Sequence, residues 1–345
     1  MHSARPKPLH VLCGRAMVLY VLDSLAETDT ERAVVVVGHG AERVTKKLQD
    51  AVGALHLDFV EQDVQRGTGD AVSIALTAFN DDDDLDDDDV IVLPGDTPLL
   101  RASTIAELVA EHRLSGAACT MLTAVVDDPT GYGRVLRGKD DGVERIVEHR
   151  DAGPTELAIH EINTSIYCFR RSVLTPALRR VSPDNDQGEY YLTDVVEVLR
   201  DAGYPIVAVI AGDSAETEGV NDRRQLAVCE AVLRRRTNDH WLRQGVTMLD
   251  PERTYIDTTV RLARDVSLFP GTILQGDTSV GIGAEVGPDT RLIDCRVGAH
   301  AIVANTVGRQ AEIGDDAVVG PFAVLEPGAS IPSGTSTGPF YTASG

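Results

Sequence analysis

The chain has few aromatic residues, few basic residues and no long apolar segment. Aromatic residues make up 4% of its 345 positions, so its cores must be built from aliphatic side chains. Asp and Glu number 54 against 32 Lys and Arg, which gives a formal net charge of -22. This excess argues against nucleic acid or an anionic membrane as a partner. No apolar run is long enough to span a bilayer, and no signal-peptide pattern is visible.

The five cysteines are widely separated, and none belongs to a CxxC pair. This spacing favours buried free thiols in a reducing compartment, so we expect a cytoplasmic protein. The cysteines are Cys13, Cys119, Cys168, Cys229 and Cys295.

Part of the negative charge is local, because Asp81–Asp84 and Asp86–Asp89 form two acidic runs around Leu85. One interpretation of these runs is a metal site. We favour a solvated loop, since like charges repel and extend the chain.

Toward the C-terminus, from about Val260 to Ile331, an aliphatic residue recurs at every sixth position and is often followed by glycine. This period indicates a parallel β-helix, in which one aliphatic side chain per short strand points inward and each coil covers its neighbour. A Gly/Val-rich β-sandwich is the alternative, and the number of in-phase positions disfavours it. The positions are Val280, Val286 and Leu292, then Val297 and Val303 after a slip of one, and Ile313, Val319, Leu325 and Ile331.

The region before the repeat alternates between short aliphatic runs and amphipathic segments. This alternation predicts an α/β domain with a mainly parallel sheet and helices on both faces. The predicted strands are Ala33–Val37, Val90–Leu93, Ala117–Val125 and Ile206–Ile210, with a hairpin formed by Gly133–Arg137 and Val143–Glu148. The predicted helices are Met17–Ala26, Gly69–Phe79, Thr104–Leu114, Tyr190–Asp201 and Asp222–Arg243. For Arg234–Arg236 in the last helix, an exposed face is favoured over phosphate binding.

Two clusters could contact a nucleotide. Lys7, in S-A-R-P-K-P-L-H, could neutralise a phosphate, although a lone lysine is usually a surface charge. Gln62 and the segment R-G-T-G-D-A at 66–71 come just before a predicted helix. Glycines there let a base or phosphate approach the backbone, and a helix N-terminus favours anions. A plain turn is an equally good interpretation of this second cluster.

Two further clusters offer oxygen ligands. Asp96 follows a predicted buried strand in P-G-D, where α/β sheets bind ligands, and Asn221 lies in G-V-N-D-R. Two protein oxygens with substrate phosphates and waters make a typical Mg²⁺ site. For both residues the alternative is the capping of a following helix.

Taken in order, these clusters resemble the bacterial bifunctional N-acetylglucosamine-1-phosphate uridylyltransferase/glucosamine-1-phosphate acetyltransferase. The resemblance extends from Ser3 to about Gly328, and the motifs are specific because they occur in order and precede the hexads. The segments that carry it are RPKPLH, EQDVQRGTGDAV, LPGDTPLL, DPTGYGRVLR, IVEHRDAGP, EINTSIYCF, DNDQGEYYLTDVV and ETEGVNDRRQLA.

The resemblance implies a Rossmann-like nucleotidyltransferase domain over 1–221, a linker helix over 222–250, a left-handed β-helix of hexapeptide repeats over 251–331 and a tail over 332–345. It implies a homotrimer that joins UTP and N-acetylglucosamine 1-phosphate into UDP-N-acetylglucosamine, a peptidoglycan precursor, and pyrophosphate. The implied roles are Lys7 at the phosphates, Gln62, Gly67 and Thr68 at the uracil, Gly95 and Asp96 at the ribose and phosphates, Asp96 and Asn221 on Mg²⁺, and Gly133, Glu148 and Asn163 at the sugar.

The two ends of the chain depart from the family pattern. A strand and a Gly-rich loop, L-A-A-G-x-G-T-R-M, precede the lysine segment in the family, and Met1 aligns with the last residue of that loop. We therefore expect the natural start to lie upstream, and weak folding with little nucleotidyl transfer for the chain as written. Near the other end, Glu326 replaces a family arginine, Ser344 replaces a substrate-binding lysine, and a later catalytic histidine has no counterpart. We therefore expect no acetyl transfer.

Three functions compete. The first is uridylyl transfer without the second activity, which Lys7, Asp96, Glu148, Asn163 and Asn221 favour. The second is a catalytically dead paralogue that binds a nucleotide sugar. The third is nucleotidyl transfer to another sugar 1-phosphate.

Overall fold

The structure, a computed structural model, describes residues 1, 3–38, 40–49, 55–79, 88–139 and 141–345. These residues form two compact units, the first comprising residues 1–10 and 17–222 and the second residues 11–16 and 223–345. The aspartate runs predicted as a solvated loop lie outside the described residues, apart from Asp88 and Asp89. The predicted long helix belongs to the second unit, where it begins at Arg223.

A short hairpin, β1 (Val11–Leu12) and β2 (Arg15–Ala16), comes early in the chain but belongs to the second unit. The first unit alternates strands and helices after this hairpin. Its elements are α1 (Met17–Ala26), β3 (Arg32–Val37), α2 (Ala41–Gln49), β4 (His56–Glu61), α3 (Thr68–Leu76), β5 (Asp89–Val92), α4 (Ala102–Ser115), β6 (Cys119–Val125), β7 (Arg134–Arg137), β8 (Val143–Val147), α5 (Pro154–Leu157), β9 (Glu161–Arg170), α6 (Arg171–Leu178), α7 (Asp194–Asp201) and β10 (Ile206–Ile210).

The strands of the first unit confirm the α/β fold class. β10 pairs with β6 in parallel, and β3 pairs with β4 in parallel. β9 runs antiparallel to both β5 and β6, so β5, β6 and β10 share one direction. The predicted elements do not include β9, because its residues Glu161, Asn163 and Ser165 interrupt the apolar run that marks a buried strand. They also lack α2, β4, α5 and α6.

The second unit confirms the parallel β-helix. After α8 (Arg223–Arg243), strands of two or three residues stack in three parallel sheets, consistent with the left-handed form that the repeat predicts. In nearly every strand the first residue is exposed or half-buried and the second is buried. The strands are β11 (Thr247–Met248), β12 (Tyr255–Ile256), β13 (Arg261–Leu262), β14 (Ser267–Leu268), β15 (Ile273–Gln275), β16 (Ser279–Val280), β17 (Glu285–Val286), β18 (Arg291–Ile293), β19 (Arg296–Val297), β20 (Ile302–Val303), β21 (Val307–Arg309), β22 (Glu312–Ile313), β23 (Val318–Val319), β24 (Val324–Leu325), β25 (Ser330–Ile331) and β26 (Thr342–Ala343).

The aliphatic-Gly pairs of the repeat have a steric cause. A Cβ at Gly281 would lie 2.6 Å from the backbone nitrogen of Ala299, and one at Gly298 would lie 2.5 Å from that of Asp315. Real Cβ atoms do not approach backbone this closely, so at these two corners the next coil can stack only because the side chain is absent. Buried threonines serve other corners, where Thr272 and Thr278 donate to the backbone oxygens of Phe269 and Gln275 at 2.7 Å.

The β-helix tolerates irregular coils. In the sheet that contains β12, successive inward residues are Ile256, Leu274, Leu292, Gly308 and Leu325, which are separated by 18, 18, 16 and 17 positions. At Gly308 the space of a missing side chain is filled by its neighbours, since Leu292 and Cys295 come within 3.4 Å of where a Cβ would stand. This irregular coil accounts for the interrupted hexads in the sequence.

The ends of the β-helix extend beyond the predicted bounds of 251 and 331. β11 pairs with β14, and β26 pairs in register with β24, so Thr342–Ala343 adds a strand from the predicted tail. On α8, the guanidinium of Arg234 lies 4.7 Å from the centre of the Tyr255 ring, which supports a structural role for this arginine. No helix among the described residues combines the length and apolarity needed to cross a membrane.

Candidate functional site

Three residues from distant parts of the first unit meet just past the C-terminal end of β5. Lys7 opens a short 3-10 helix, Lys7–Leu9, and Asp96 and Asn221 lie in loops. The Lys7 ammonium contacts the Asp96 carboxylate and donates to Asn221 Oδ1 at 2.7 Å. The Val220 backbone N–H donates to the Asp96 carbonyl at 2.9 Å and holds the two loops together. The sequence predicted all three side chains as phosphate or metal ligands, and the structure brings them together.

This cluster has the donor set that a hard cation needs. A carboxylate oxygen and an amide oxygen, from Asp96 and Asn221, converge on one positive charge. Gly219 lies beside both, since a Cβ there would stand 3.7 Å from Asp96 Oδ1 and 3.9 Å from Asn221 Nδ2. Helix capping does not explain Asp96, because α4 begins after Arg101. Gly95 lies next to Asp96, and Val18 is its nearest neighbour at 3.8 Å from a Cβ position.

The second predicted cluster forms the N-terminus of α3. Gly67 precedes the helix with a φ of 106°, and a Cβ there would lie 2.5 Å from the Tyr190 carbonyl oxygen. The Gly69 N–H donates to that oxygen at 2.8 Å, and the Tyr190 N–H donates to the Arg66 carbonyl at 2.8 Å. Only glycine fits at position 67, since both the backbone conformation and the close approach exclude a side chain.

The polar side chains of this second cluster are partly engaged within the protein. Gln62 Nε2 donates to Asp70 Oδ2 at 2.7 Å and to the Gly67 carbonyl at 3.3 Å. Thr68 Oγ1 accepts the backbone N–H of Leu192 at 3.1 Å. The side chains of Gln62 and Thr68 therefore fix the loop, and a role for them at the uracil stays a prediction.

The three residues predicted at the sugar also meet. The Asn163 N–H donates to the Gly133 carbonyl at 2.8 Å, and a Cβ at Gly133 would lie 3.5 Å from both carboxylate oxygens of Glu148. Asn163 is buried, and its Oδ1 accepts from the Tyr167 hydroxyl at 2.8 Å and from the Ser165 N–H at 3.2 Å. Among the described residues none of the hydrogen bonds uses Asn163 Nδ2, so this group remains as a donor.

Carboxylates shape the electrostatics of this third cluster. Burial raises the pKa of Glu148, while the Thr193 hydroxyl donates to Glu148 Oε1 at 3.2 Å and opposes that shift. Burial, followed by the charges of Glu197 and Asp151, raises the pKa of Asp194 to about 6. Gly133 and Asn163 are buried and Glu148 is half-buried, so the cluster presents hydrogen-bond acceptors of the kind that a site for sugar hydroxyls requires.

One segment that received no role from the sequence connects the second and third clusters. The Tyr190 carbonyl accepts the Gly69 N–H, and the Leu192 N–H donates to Thr68 Oγ1. The Thr193 hydroxyl donates to Glu148 Oε1. The signal was present in the motif DNDQGEYYLTDVV, which carried the resemblance. Sequence spacing gave no reason to place this motif against both a Gly-rich turn and a strand end.

Comparison with known proteins identifies the chemistry of this unit. Residues 2–242 match the family described as nucleotidyl transferase. The chain is 45% identical to a protein named bifunctional protein GlmU from Streptomyces avermitilis, over 99% of this chain and 70% of that one. It is 42% identical to the protein of the same name from Heliobacterium modesticaldum, over 99% of this chain and 72% of that one. The structure of HddC from Yersinia pseudotuberculosis complexed with GMP-PN aligns with 68% of this chain and 92% of its own, at 15% identity and a TM-score of 0.49.

Proposed function

The chain belongs to the GlmU family of nucleotidyltransferases, and we propose that its first unit transfers a uridylyl group from UTP to N-acetylglucosamine 1-phosphate. The products would be UDP-N-acetylglucosamine and pyrophosphate. The observation that supports this reaction best is the meeting of Lys7, Asp96 and Asn221 beyond the end of β5. A bound triphosphate requires a cationic side chain to neutralise its charge and oxygen ligands to hold its metal ion. This cluster offers both at the C-terminal end of a strand.

The proposed reaction needs alignment more than proton transfer. An oxygen of the sugar phosphate attacks the α-phosphorus of UTP, and the bond from that phosphorus to the bridging oxygen of pyrophosphate breaks. The attacking oxygen is already anionic, so no general base is required. Lys7 would neutralise charge that develops on the phosphates as pyrophosphate leaves.

The family commonly uses Mg²⁺, and the donor set fits that ion. Asp96 Oδ2 and Asn221 Oδ1 would hold it, with phosphate oxygens and waters completing the coordination. When bound, the ion would supply further neutralisation of phosphate charge. Lys7 now contacts both oxygens, so it would exchange these contacts for the phosphates when the ion and substrate bind.

The third cluster would select the sugar. Glu148 can accept hydrogen bonds from sugar hydroxyls, and Asn163 Nδ2 can donate one to the substrate. The absence of a side chain at Gly133 leaves room beside the Glu148 carboxylate. A catalytically dead, nucleotide-sugar-binding protein and a transferase for another sugar 1-phosphate are the alternatives that the experiments must separate.

The test is pyrophosphate release from UTP and N-acetylglucosamine 1-phosphate with Mg²⁺. It is run on the chain as printed and on a form preceded by a strand and Gly-rich loop of the family pattern. Lys7→Met should lower kcat/KM by about 10²–10³-fold, the usual effect of removing one stabilising donor from a transition state. Lys46→Met, which changes an exposed lysine of α2, should leave it unchanged.

If neither form releases pyrophosphate but both still bind UDP-N-acetylglucosamine, the result would favour the dead paralogue and contradict the proposal.

We further propose that the second unit assembles into a homotrimer. Its exposed apolar residues include Val307 and Val324, which face outward on paired strands, and Phe322 and Phe340, whose rings stack 5.2 Å apart. Exposed apolar surface of this kind commonly marks an interface. A monomeric mass by light scattering would contradict the trimer. We expect no acetyl transfer, because the exposed Glu326 would repel a sugar phosphate.

A further inference from the structure

A second group of potential metal ligands lies at the end of β5 that is opposite to Asp96. Asp89 is the first residue of β5, His112 lies in the last turn of α4, and Cys168 lies in β9. Each side chain offers one ligand atom, and these atoms all lie within 4.8 Å of one another. We propose that this Asp-His-Cys triad binds a divalent cation of the zinc class.

The sheet places two of the ligands on one face. Cys168 pairs with Ile91 across β5 and β9, and Asp89 lies two positions before Ile91 on the same strand. Side chains two positions apart on a strand point to the same face, so Asp89 and Cys168 are diagonal neighbours. α4 packs on β6 and β9 and brings His112 over them. Three separate elements therefore supply the ligands, which is why no spacing motif marks the site in the sequence.

The imidazole of His112 is already held as a ligating histidine would be. Its Nδ1 lies 2.9 Å from Thr120 Oγ1, and its Nε2 lies 3.2 Å from Asp89 Oδ1. Ligating histidines usually have their second ring nitrogen fixed by an outer partner, which sets the tautomer and the ring orientation. Thr120 would be that partner: its hydroxyl would accept the Nδ1–H of the neutral ring, which leaves the Nε2 lone pair for the cation in place of the present contact with Asp89 Oδ1.

The ligand types select the class of cation. Nitrogen, thiolate and carboxylate ligands suit Zn²⁺ and its neighbours, whereas Mg²⁺ and Ca²⁺ prefer all-oxygen sites such as the one at Asp96. The Cys168 thiolate and the Asp89 carboxylate would together balance the two charges of the ion. Burial, then the charge of Asp89, raises the pKa of Cys168 to about 12, so binding would release the thiol proton.

Nearby positive charges limit how the ion can bind. Arg113 Nε lies 3.3 Å from Asp89 Oδ2, so Asp89 would ligate through Oδ1 alone. Arg113 and Arg170 both oppose positive charge at His112, although Arg170 is also hydrogen-bonded to the Gly116 carbonyl at 2.6 Å. Three protein ligands leave one tetrahedral position for water, which the partial exposure of Asp89 admits.

Such an ion would join the start of β5, the end of α4 and the middle of β9. Asp96 lies beyond the other end of β5, so the ion would stabilise the first unit without taking part in nucleotidyl transfer. Proteins that bind a cation only when folded gain stability with its concentration.

The probe is Co²⁺, added to the whole chain without substrates. Excess Mg²⁺ is present to occupy the oxygen ligands at Asp96 and Asn221. We expect one bound ion with a sulfur-to-cobalt charge-transfer band, displacement of that ion by Zn²⁺, and a higher melting temperature. Cys168→Ser should remove the band and weaken binding by about 100-fold or more, since even an outer partner typically contributes 10- to 100-fold. Thr120→Val, which removes only the outer partner, should keep the band and weaken binding by about 10-fold.

Cys119→Ser is the matched control, because Cys119 is as fully buried as Cys168 and lies in the adjacent strand. It should leave the band and the affinity unchanged. Asp96→Asn should also leave them unchanged, which separates this site from the Mg²⁺ ligands. Co²⁺ binding without the band, or a band that persists in Cys168→Ser, would overturn the proposal. If Cys168→Ser does not fold, loss of the band in His112→Gln supports the site, and its persistence there overturns it.

Discussion

The second unit repeats one local arrangement many times, whereas the first unit uses each of its site residues once. In the β-helix, Leu274 and Leu292 occupy equivalent inward positions on adjacent coils, and nearly every strand has an exposed or half-buried residue followed by a buried one. In the first unit, Lys7 from a short 3-10 helix and Asp96 and Asn221 from two loops meet at one point.

This difference determines what a substitution should do. A change inside the β-helix removes packing that adjacent coils share, so its main effect should be on stability. A change at Lys7, Asp96 or Asn221 removes a polar contact at the site but little apolar packing. Its main effect should therefore be on activity.

The largest expected effect is on activity. Asp96→Asn keeps the size of the side chain but removes the charge that contacts Lys7 and would hold Mg²⁺. We expect kcat/KM for pyrophosphate release to fall by about 10²–10³-fold. The melting temperature should stay unchanged, and the exposed Asp127→Asn should behave like the parent chain. A large loss of stability in Asp96→Asn would contradict the view that the loop residues serve activity and not stability.

The next effect is on stability. Leu274 is fully buried in the β-helix, and Leu274→Ala would remove packing against Ile256 and Leu292. We expect the free energy of unfolding to fall by about 2–5 kcal/mol, as for other buried leucines. Glu285→Ala, at an outward position of β17, should change it by less than about 0.5 kcal/mol. Denaturant unfolding measures both, and an equal cost for the two changes would contradict inward packing as the source of stability.

A smaller effect is the pH dependence that Asp194 contributes to the first unit. Folding raises the pKa of this carboxyl from 3.8 to about 6 through burial, with Glu197 and Asp151 adding to the shift. The folded state therefore favours the protonated form. The contribution of the Asp194 carboxyl to the free energy of unfolding is complete below about pH 4 and is lost as the pH rises through 6.

Asp194→Asn cannot ionise and should therefore be more stable than the parent at pH 7, by about 1–2 kcal/mol after allowance for solvent screening. The difference should vanish near pH 4. Thermal unfolding across this range measures it, and a gap that does not change with pH would refute burial as the cause.

The sequence predicted the repeated unit well because periodicity is a local property. Val280, Val286 and Leu292 lie inward as their spacing requires, and the irregular coil at Gly308 coincides with the break in the hexads. The sequence also predicted the strands with continuous apolar runs, such as Ile206–Ile210. It missed β9 because Asn163 and Ser165 interrupt the apolar pattern at the point where the strand contributes to the site.

The candidate site was predicted as residue types and not as geometry. Lys7 and Asn221 are 214 positions apart, and only the fold brings their side chains together. The support that Thr193 gives to Glu148, and the contact of residues 190–192 with the Gly67 turn, depend on tertiary packing that no local pattern encodes. The triad of Asp89, His112 and Cys168 was missed for the same reason.

The most direct test of uridylyl transfer to N-acetylglucosamine 1-phosphate is a competition between two sugars. UTP and Mg²⁺ are supplied with equal amounts of N-acetylglucosamine 1-phosphate and glucose 1-phosphate, and the UDP-sugars are quantified by mass spectrometry in the more active of the two forms of the chain. We predict that UDP-N-acetylglucosamine is the main product and that it disappears in Lys7→Met. A main product of UDP-glucose, or no UDP-sugar at all, would contradict uridylyl transfer to the acetylated sugar.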